Sequence, residues 1–153
     1  MKRSLGFILL ALLITLCEVG HTKETGNLGA GVIIGNPTGP TVKYWLSEKT
    51  AWDVAIGFQE EISVHGDLLF QAWDVFPQPQ VGKIGGYLGL GAKYQEKKKN
   101  DLFGIRVVGG LNYWTHKYPI EIFLELVPVF ELSPKTDTDI DAGVGLRYYF
   151  KLN

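Results

Sequence analysis

A serine and a histidine stand two positions apart, at Ser63 and His65, in a stretch where polar and apolar residues alternate. If that stretch is a β-strand, both side chains point to the same side. Serine beside histidine is the pairing used in nucleophilic acyl transfer. A serine and a histidine at the end of a strand are more often rim residues, so we assign no catalytic residue and predict that the chain is not an enzyme.

Two groups of acids also have spacings that could do chemistry. Glu121 and Glu125 are four residues apart, which on a strand places them on one face but separates them by about 13 Å, too far for a glycosidase pair. Asp137, Asp139 and Asp141 alternate like a loose cation site, but the glycine and the distal glutamate of a calcium loop are missing. We interpret this run as a solvated turn, and we predict neither a metal nor a cofactor.

The basic run Lys97 to Lys99 is a short patch in a chain with a formal net charge of -1. It could meet lipid phosphates or another polyanion, but a solvated hairpin tip is the favoured interpretation. The overall charge gives no reason to expect nucleic acid as a partner.

The elements that carry these residues follow a period of two, which predicts strands. Turn clusters rich in proline, glycine, asparagine and aspartate separate them. We predict eight strands, at Leu28 to Gly35, Thr41 to Leu46, Ala51 to Gln59, Ser63 to Trp73, Ile84 to Gln95, Leu102 to Trp114, Ile120 to Leu132 and Ile140 to Phe150.

Each segment has one apolar face and one face of glycines and charges. In the sixth segment, Phe103, Ile105, Val107 and Leu111 alternate with Gly104, Arg106, Val108, Gly110 and Asn112. Aromatic residues of the apolar face fall near segment ends and aliphatic residues near the middle, as aromatic belts at two membrane interfaces would require. The pattern predicts an all-β, eight-stranded, antiparallel, up-and-down transmembrane β-barrel.

The opposite face would form the lumen of that barrel. An eight-stranded interior is just wide enough for side chains to fill it, so acids and bases should pair across it and leave no permanent pore. Glycines there would make room for long charged side chains. The predicted polar network consists of Lys43, Asp53, His65, Asp67, Lys93, Arg106, Glu121, Glu125, Asp141 and Arg147.

Alternation does not by itself distinguish the inside from the outside. A soluble, calycin-like periplasmic barrel would turn the apolar face inward and bind an apolar ligand there. Side-chain volume favours the membrane orientation, because the large aromatics would crowd a small interior. The calycin-like barrel is the alternative.

The N-terminus carries the features of an export signal. Lys2 and Arg3 precede the apolar run Phe7 to Leu16, about ten residues, which fits a signal-peptide core and is too short for a spanning helix. We place the signal peptide at residues 1–21, a polar tail at 22–27 and the barrel at 28–153. Cys17, the one cysteine, is a weak lipidation candidate because Leu16 precedes it, where lipoprotein processing needs a small residue.

Three stretches resemble a family of small, mostly uncharacterised bacterial outer-membrane β-barrel proteins, found in spirochaetes and other double-membraned bacteria. They are GNPTGPTVKYWLSEKTAWDVAIGF, YLGLGAKY and IEIFLELVPVFELSPKTDTDIDAGVGLRYYF. That family is similar to the eight-stranded OmpA and OmpX type. The resemblance implies insertion into the outer membrane and supplies no catalytic residues.

The last segment also resembles the signal by which such barrels are recognised for assembly, through Gly145, Tyr148 and Phe150, although Lys151, Leu152 and Asn153 follow the final aromatic. The resemblance therefore implies outer-membrane lipid and the barrel-assembly machinery as partners, and we expect a monomer. A structural or membrane-integrity role comes first and a surface-interaction role second. A lipid-modifying enzyme is disfavoured because Ser63 and His65 would lie on the lumen face.

Overall fold

The computed structural model describes residues 27–59 and 61–152. The predicted signal peptide, Cys17 and almost all of the polar tail lie outside these residues. Within residues 27–59 and 61–152, no helix is long and apolar enough to cross a membrane. The strands are β1 Leu28–Gly35, β2 Gly39–Trp45, β3 Thr50–Phe58, β4 Ile62–Ala72, β5 Lys83–Gln95, β6 Leu102–Trp114, β7 Ile120–Ser133 and β8 Asp137–Phe150.

The strands form a closed barrel in which every strand pairs with its neighbours along the chain and β8 closes back on β1. All pairings are antiparallel, and Leu28 of β1 lies opposite Phe150 of β8. The predicted eight-stranded up-and-down barrel is therefore confirmed. We call the end that carries both chain ends of this barrel the terminal end, and the opposite end the distal end.

The predicted strand boundaries agree with the structure to within about two residues, except at the start of β8. The sequence suggested a solvated turn that includes Asp137 and Asp139, but β8 begins at Asp137, which pairs with Glu131 of β7. Asp139 likewise pairs with Val129, so both aspartates belong to a strand. The side chains of Asp137 and Asp139 accept hydrogen bonds from the next backbone N–H, a local interaction that alternation of charge does not reveal.

The wall of the barrel has an apolar outer face. Alternate side chains along each strand point outward, and the outward set includes Val32, Ile34, Phe70, Leu88, Leu90, Leu111, Leu124, Leu126, Val144, Leu146 and Phe150, which are 43% to 68% exposed. Their neighbours along each strand are buried, or half-buried where the neighbour is a glycine. The calycin-like alternative needs the apolar face inside, and the structure has it outside.

Glycines make room inside the barrel for large rings. A Cβ on Gly110 would collide with the ring of Tyr87, and one on Gly145 would collide with the ring of Phe123. A Cβ on Gly29 would lie 2.5 Å from Cζ of Tyr149. The interior glycines were expected to accommodate long charged side chains, and at these three positions they accommodate aromatic ones.

Candidate functional site: the barrel interior

All ten residues of the predicted polar network lie inside the barrel and are buried. Their exposed fractions run from 0% for Lys43, Asp67, Glu121 and Arg147 to 5% for Lys93. They come from seven of the strands, because strand alternation sends every second side chain of β2 through β8 into the lumen. Their contacts form two clusters, one nearer each end of the barrel, and Glu125 belongs to neither.

The cluster nearer the terminal end is centred on Glu121 of β7. Its Oε1 accepts from Nζ of Lys43 at 2.9 Å, and its Oε2 lies 3.2 Å from Nη1 of Arg147. Tyr149 Oη donates to Oε2 at 2.6 Å, and Asn112 Nδ2 donates to Oε1 at 2.8 Å. Four hydrogen-bond donors therefore converge on this one carboxylate, which balances the cost of burying its charge.

Arg147 connects this cluster to the opposite wall. Its Nη2 donates to Oδ2 of Asp53 at 2.8 Å and to Oγ1 of Thr41 at 2.9 Å, and Thr41 in turn donates to Oδ1 of Asp53 at 3.0 Å. The guanidinium also lies 3.8 Å from the ring centroid of Phe123. One side chain of β8 thus contacts side chains of β2, β3 and β7 across the lumen.

The cluster nearer the distal end is centred on Arg106. Its Nε lies 3.0 Å from Oδ1 of Asp67, and its Nη1 lies 3.4 Å from Oδ2 of Asp141. Lys93 Nζ donates to the same Asp141 oxygen at 2.8 Å, and Asn36 Nδ2 donates to Oδ1 at 2.9 Å. Every charged group of this cluster therefore has a partner of opposite charge.

Glu125 differs from the other buried acids. Its hydrogen-bond partner is a hydroxyl, since Tyr87 Oη donates to Oε1 at 2.8 Å. Across residues 27–59 and 61–152, no lysine or arginine lies within ion-pair distance of it. Among the residues that the structure describes, the buried acids exceed the buried bases by one: the acids are Asp53, Asp67, Glu121, Glu125 and Asp141, and the bases are Lys43, Lys93, Arg106 and Arg147.

Asp53, His65 and Asp67 form a group with metal-ligand chemistry. One ligand atom of each lies within 4.8 Å of the others, and all three residues are buried. His65 Nε2 is 3.6 Å from Oδ2 of Asp67, which is beyond a hydrogen bond. Because Arg147 and Arg106 already bind the two carboxylates, a cation here would have to displace or face two guanidinium groups. The arrangement fits an ion-pair network better than a metal site.

An aromatic cluster lies at the terminal end of the barrel, and the sequence did not predict it. Trp45 stacks against Trp73 with ring centroids 6.2 Å apart, and it meets Trp114 at the same distance. Trp114 contacts Tyr149 at 4.5 Å. We call these four residues the aromatic cap. Trp114 and Arg106 both stand at even-numbered positions of β6, so strand alternation could have placed Trp114 inside.

The remaining candidates occupy positions that limit their chemistry. Ser63 and His65 both point into the barrel and are 7% and 3% exposed, so an acyl chain in a surrounding lipid phase would not reach them. Of the aspartate run, Asp141 is buried, whereas Asp137 and Asp139 are exposed. Lys97 to Lys99 lie exposed in the turn between β5 and β6.

The three residues of the predicted assembly signal face opposite ways. Tyr148 and Phe150 lie on the outer face, 44% and 49% exposed, with ring centroids 5.0 Å apart. Gly145 lies inside, against Phe123. Recognition by an assembly machinery stays a prediction.

Comparison with known proteins gives one structural likeness. The chain is similar to the N-terminal β-barrel domain of Pseudomonas aeruginosa OprF in its crystal structure, with a TM-score of 0.58 and 16% sequence identity over 83% of this chain and 100% of that domain. No family model and no curated protein matches the chain. At this identity the likeness shows the fold alone, an eight-stranded β-barrel, and the bacterial outer-membrane family stays a prediction.

Proposed function

We propose that this protein is a small transmembrane barrel of the bacterial outer membrane with a structural or membrane-integrity role. One observation carries the proposal: the closed wall turns aliphatic and aromatic side chains outward, while in the described part of the chain nine buried lysines, arginines, aspartates and glutamates lie within. In water this distribution would expose a continuous apolar surface at high cost. In lipid the outward apolar side chains contact hydrocarbon. The closed ring of strands leaves no edge with unpaired backbone groups.

The dimensions of the wall support this placement. β4 through β8 are 11 to 14 residues long, and a tilted strand needs about 9–11 residues to cross a bilayer. Outward aromatics such as Phe58, Tyr94, Phe103 and Phe150 fall at strand ends, and leucines and valines lie between them. Two aromatic levels separated by an aliphatic band match the two interfaces of a membrane.

The interior supports a barrel without a permanent pore. Ion pairs join β2 to β7, β3 to β8 and β4 to β6, so charged side chains cross the lumen at several levels. The aromatic cap adds large rings at the terminal end. These side chains fill an interior that is narrow in any eight-stranded barrel.

The connections at the distal end favour a structural role over binding of a host protein. The connection between β1 and β2 and that between β7 and β8 are each three residues long, at 36–38 and 134–136. With the terminal end in the periplasm, these turns face outward, and barrels that bind large partners carry longer external loops. The partners proposed are the surrounding lipid and the assembly machinery, with the barrel inserted as a monomer.

The test is membrane partitioning combined with heat modifiability. The protein should stay in the outer-membrane fraction after a carbonate wash, and unboiled and boiled samples should migrate differently on a denaturing gel. Recovery in the soluble periplasm, with identical migration of both samples, would contradict the proposal.

A further inference from the structure

The connection between β4 and β5, residues 73–82, is the longest of the terminal end and has an apolar surface. Val75, Phe76 and Val81 are 57%, 37% and 60% exposed. The stretch Val75 to Gly82 contains two prolines and no charged residue. We call residues 73–82 the apolar loop.

Side-chain hydrogen bonds fix the shape of the apolar loop. Gln78 Nε2 donates to the carbonyl oxygens of Trp73 and Ile84, both at 2.8 Å, and Gln78 Oε1 accepts from the N–H of Ile84 at 3.0 Å. Tyr113 Oη donates to the carbonyl of Val81 at 3.1 Å. Gly82, at φ +81°, then turns the chain into β5. The loop therefore presents its apolar side chains from a defined backbone.

The apolar loop continues the outer wall of the barrel. Gly86 points outward, and a Cβ there would lie 3.6 Å from Cε2 of Phe76 and 4.0 Å from Cδ2 of Leu111. Phe76 thus covers the bare backbone at Gly86 and lies beside Leu111, which is 43% exposed on the wall. The outward apolar surface of the wall therefore continues into the loop at Phe76.

The surroundings of the loop have the composition of a membrane interface. Lys83 Nζ lies 3.9 Å from the ring centroid of Trp73, so the ammonium sits at the rim while the indole packs inward. Tyr118, in the connection between β6 and β7 at the same end, is 55% exposed. Tryptophan, tyrosine and lysine are the residues that hold a protein at the headgroup level.

We propose that the apolar loop is a membrane anchor: Val75, Phe76 and Val81 insert into the headgroup region of the leaflet at the terminal end and set the depth of the barrel. The inference rests on the proposed function. The occupant is lipid because the loop surface is continuous with the lipid-facing wall, carries no charge between Val75 and Gly82, and approaches the wall through Phe76.

The distal end supplies the contrast. Its longest connection, between β5 and β6, carries Lys97, Lys98 and Lys99 and is exposed. A charged tip favours water, whereas an apolar loop of fixed shape favours the interface. The two ends of the barrel should therefore meet their leaflets differently.

The test places an environment-sensitive fluorophore on the loop. In the full chain with Cys17→Ser, Val75→Cys and Val81→Cys each provide one thiol, with Leu88→Cys as the wall control and Lys98→Cys as the water control. The labelled proteins are reconstituted in vesicles with brominated lipid, and iodide is supplied on both sides. Heat modifiability confirms that each variant is folded.

We expect both loop positions to show blue-shifted emission, quenching by lipid brominated near the headgroup and protection from iodide, unlike Lys98→Cys. Loop positions quenched by iodide and not by lipid, with Leu88→Cys quenched by lipid, would overturn the anchor and leave the loop open to a soluble protein partner while the membrane barrel stands. If Leu88→Cys also escapes lipid quenching, the proposed function fails and the anchor fails with it.

Discussion

Arg147 and Glu121 are direct cross-strand partners of β8 and β7, and inside the barrel Arg147 Nη1 lies 3.2 Å from Glu121 Oε2. The same guanidinium reaches Asp53 on β3 at 2.8 Å. A local strand pair and a contact across the lumen therefore share one side chain. Since each carboxylate is at most 1% exposed, the loss of Arg147 would leave buried charge without its partner.

The first prediction concerns this shared side chain. Arg147→Met should lower the free energy of unfolding by about 3–5 kcal/mol, the usual cost of removing one partner of a buried pair. Glu121 retains Lys43, so Asp53 is the carboxylate left without a base. The measurement is urea-induced unfolding in lipid vesicles.

A double-mutant cycle identifies the cause of that loss. Asp53→Asn removes the charge that Arg147→Met leaves uncompensated. The double variant should therefore lose less free energy of unfolding than the sum of the losses of the two single variants. Strict additivity would mean that Arg147 stabilises the barrel through its packing on Phe123 and not through the ion pair.

The second prediction concerns the outer face at Val107, the neighbour of Arg106. Val107 is 38% exposed on the wall, whereas Arg106 is 1% exposed in the lumen. Val107→Arg should cost about 2–4 kcal/mol if the site lies near the bilayer midplane, because the new charge meets hydrocarbon. Asn100→Arg, in the exposed connection between β5 and β6, adds the same charge outside the wall and should be nearly neutral. Unfolding of both variants in vesicles gives the comparison, and equal stability of the two would contradict the lipid-facing assignment.

The architecture could be predicted from the sequence because the alternation in a barrel is local. Arg106 and Val107 are neighbours in the sequence, so strand alternation places their side chains on opposite faces. The same rule assigns every other residue of the strand. The boundary of β8 could not be predicted, because Asp137 and Asp139 have the composition of a turn and are held in the strand by pairing with β7.

The individual contacts inside the barrel could not be predicted. Lys43 and Glu121 lie on β2 and β7, which are not neighbours, and their meeting depends on the stagger of the strands around the closed sheet. The aromatic cap shows the same limit. Alternation could place Trp114 inside, but the stacking of Trp45 on Trp73 depends on how strand ends and a connection meet across the lumen.

The third prediction tests the space behind an interior glycine. Gly110→Ala should destabilise the barrel by about 1–3 kcal/mol, as overpacking does, because the new methyl group would collide with the buried ring of Tyr87. Gly66→Ala is the matched control, since its nearest neighbours would be 3.9 Å and 4.0 Å away. Thermal unfolding in detergent, followed on unboiled gels, compares the two. If Gly110→Ala is as stable as Gly66→Ala, the Tyr87 ring does not occupy the position described.

The fourth prediction concerns conductance, and it follows from the crossing ion pairs and the aromatic cap together. The protein reconstituted in a planar bilayer should show no steady ohmic conductance, because Arg106, Arg147 and their partners cross the lumen and Trp45 packs against Trp73 and Trp114 at the terminal end. The Lys98→Ala variant, altered at the distal tip, should behave identically and controls for surface charge. Large, long-lived open states of the unaltered protein would mean that these side chains do not fill the interior, and the barrel would then have to be regarded as a channel.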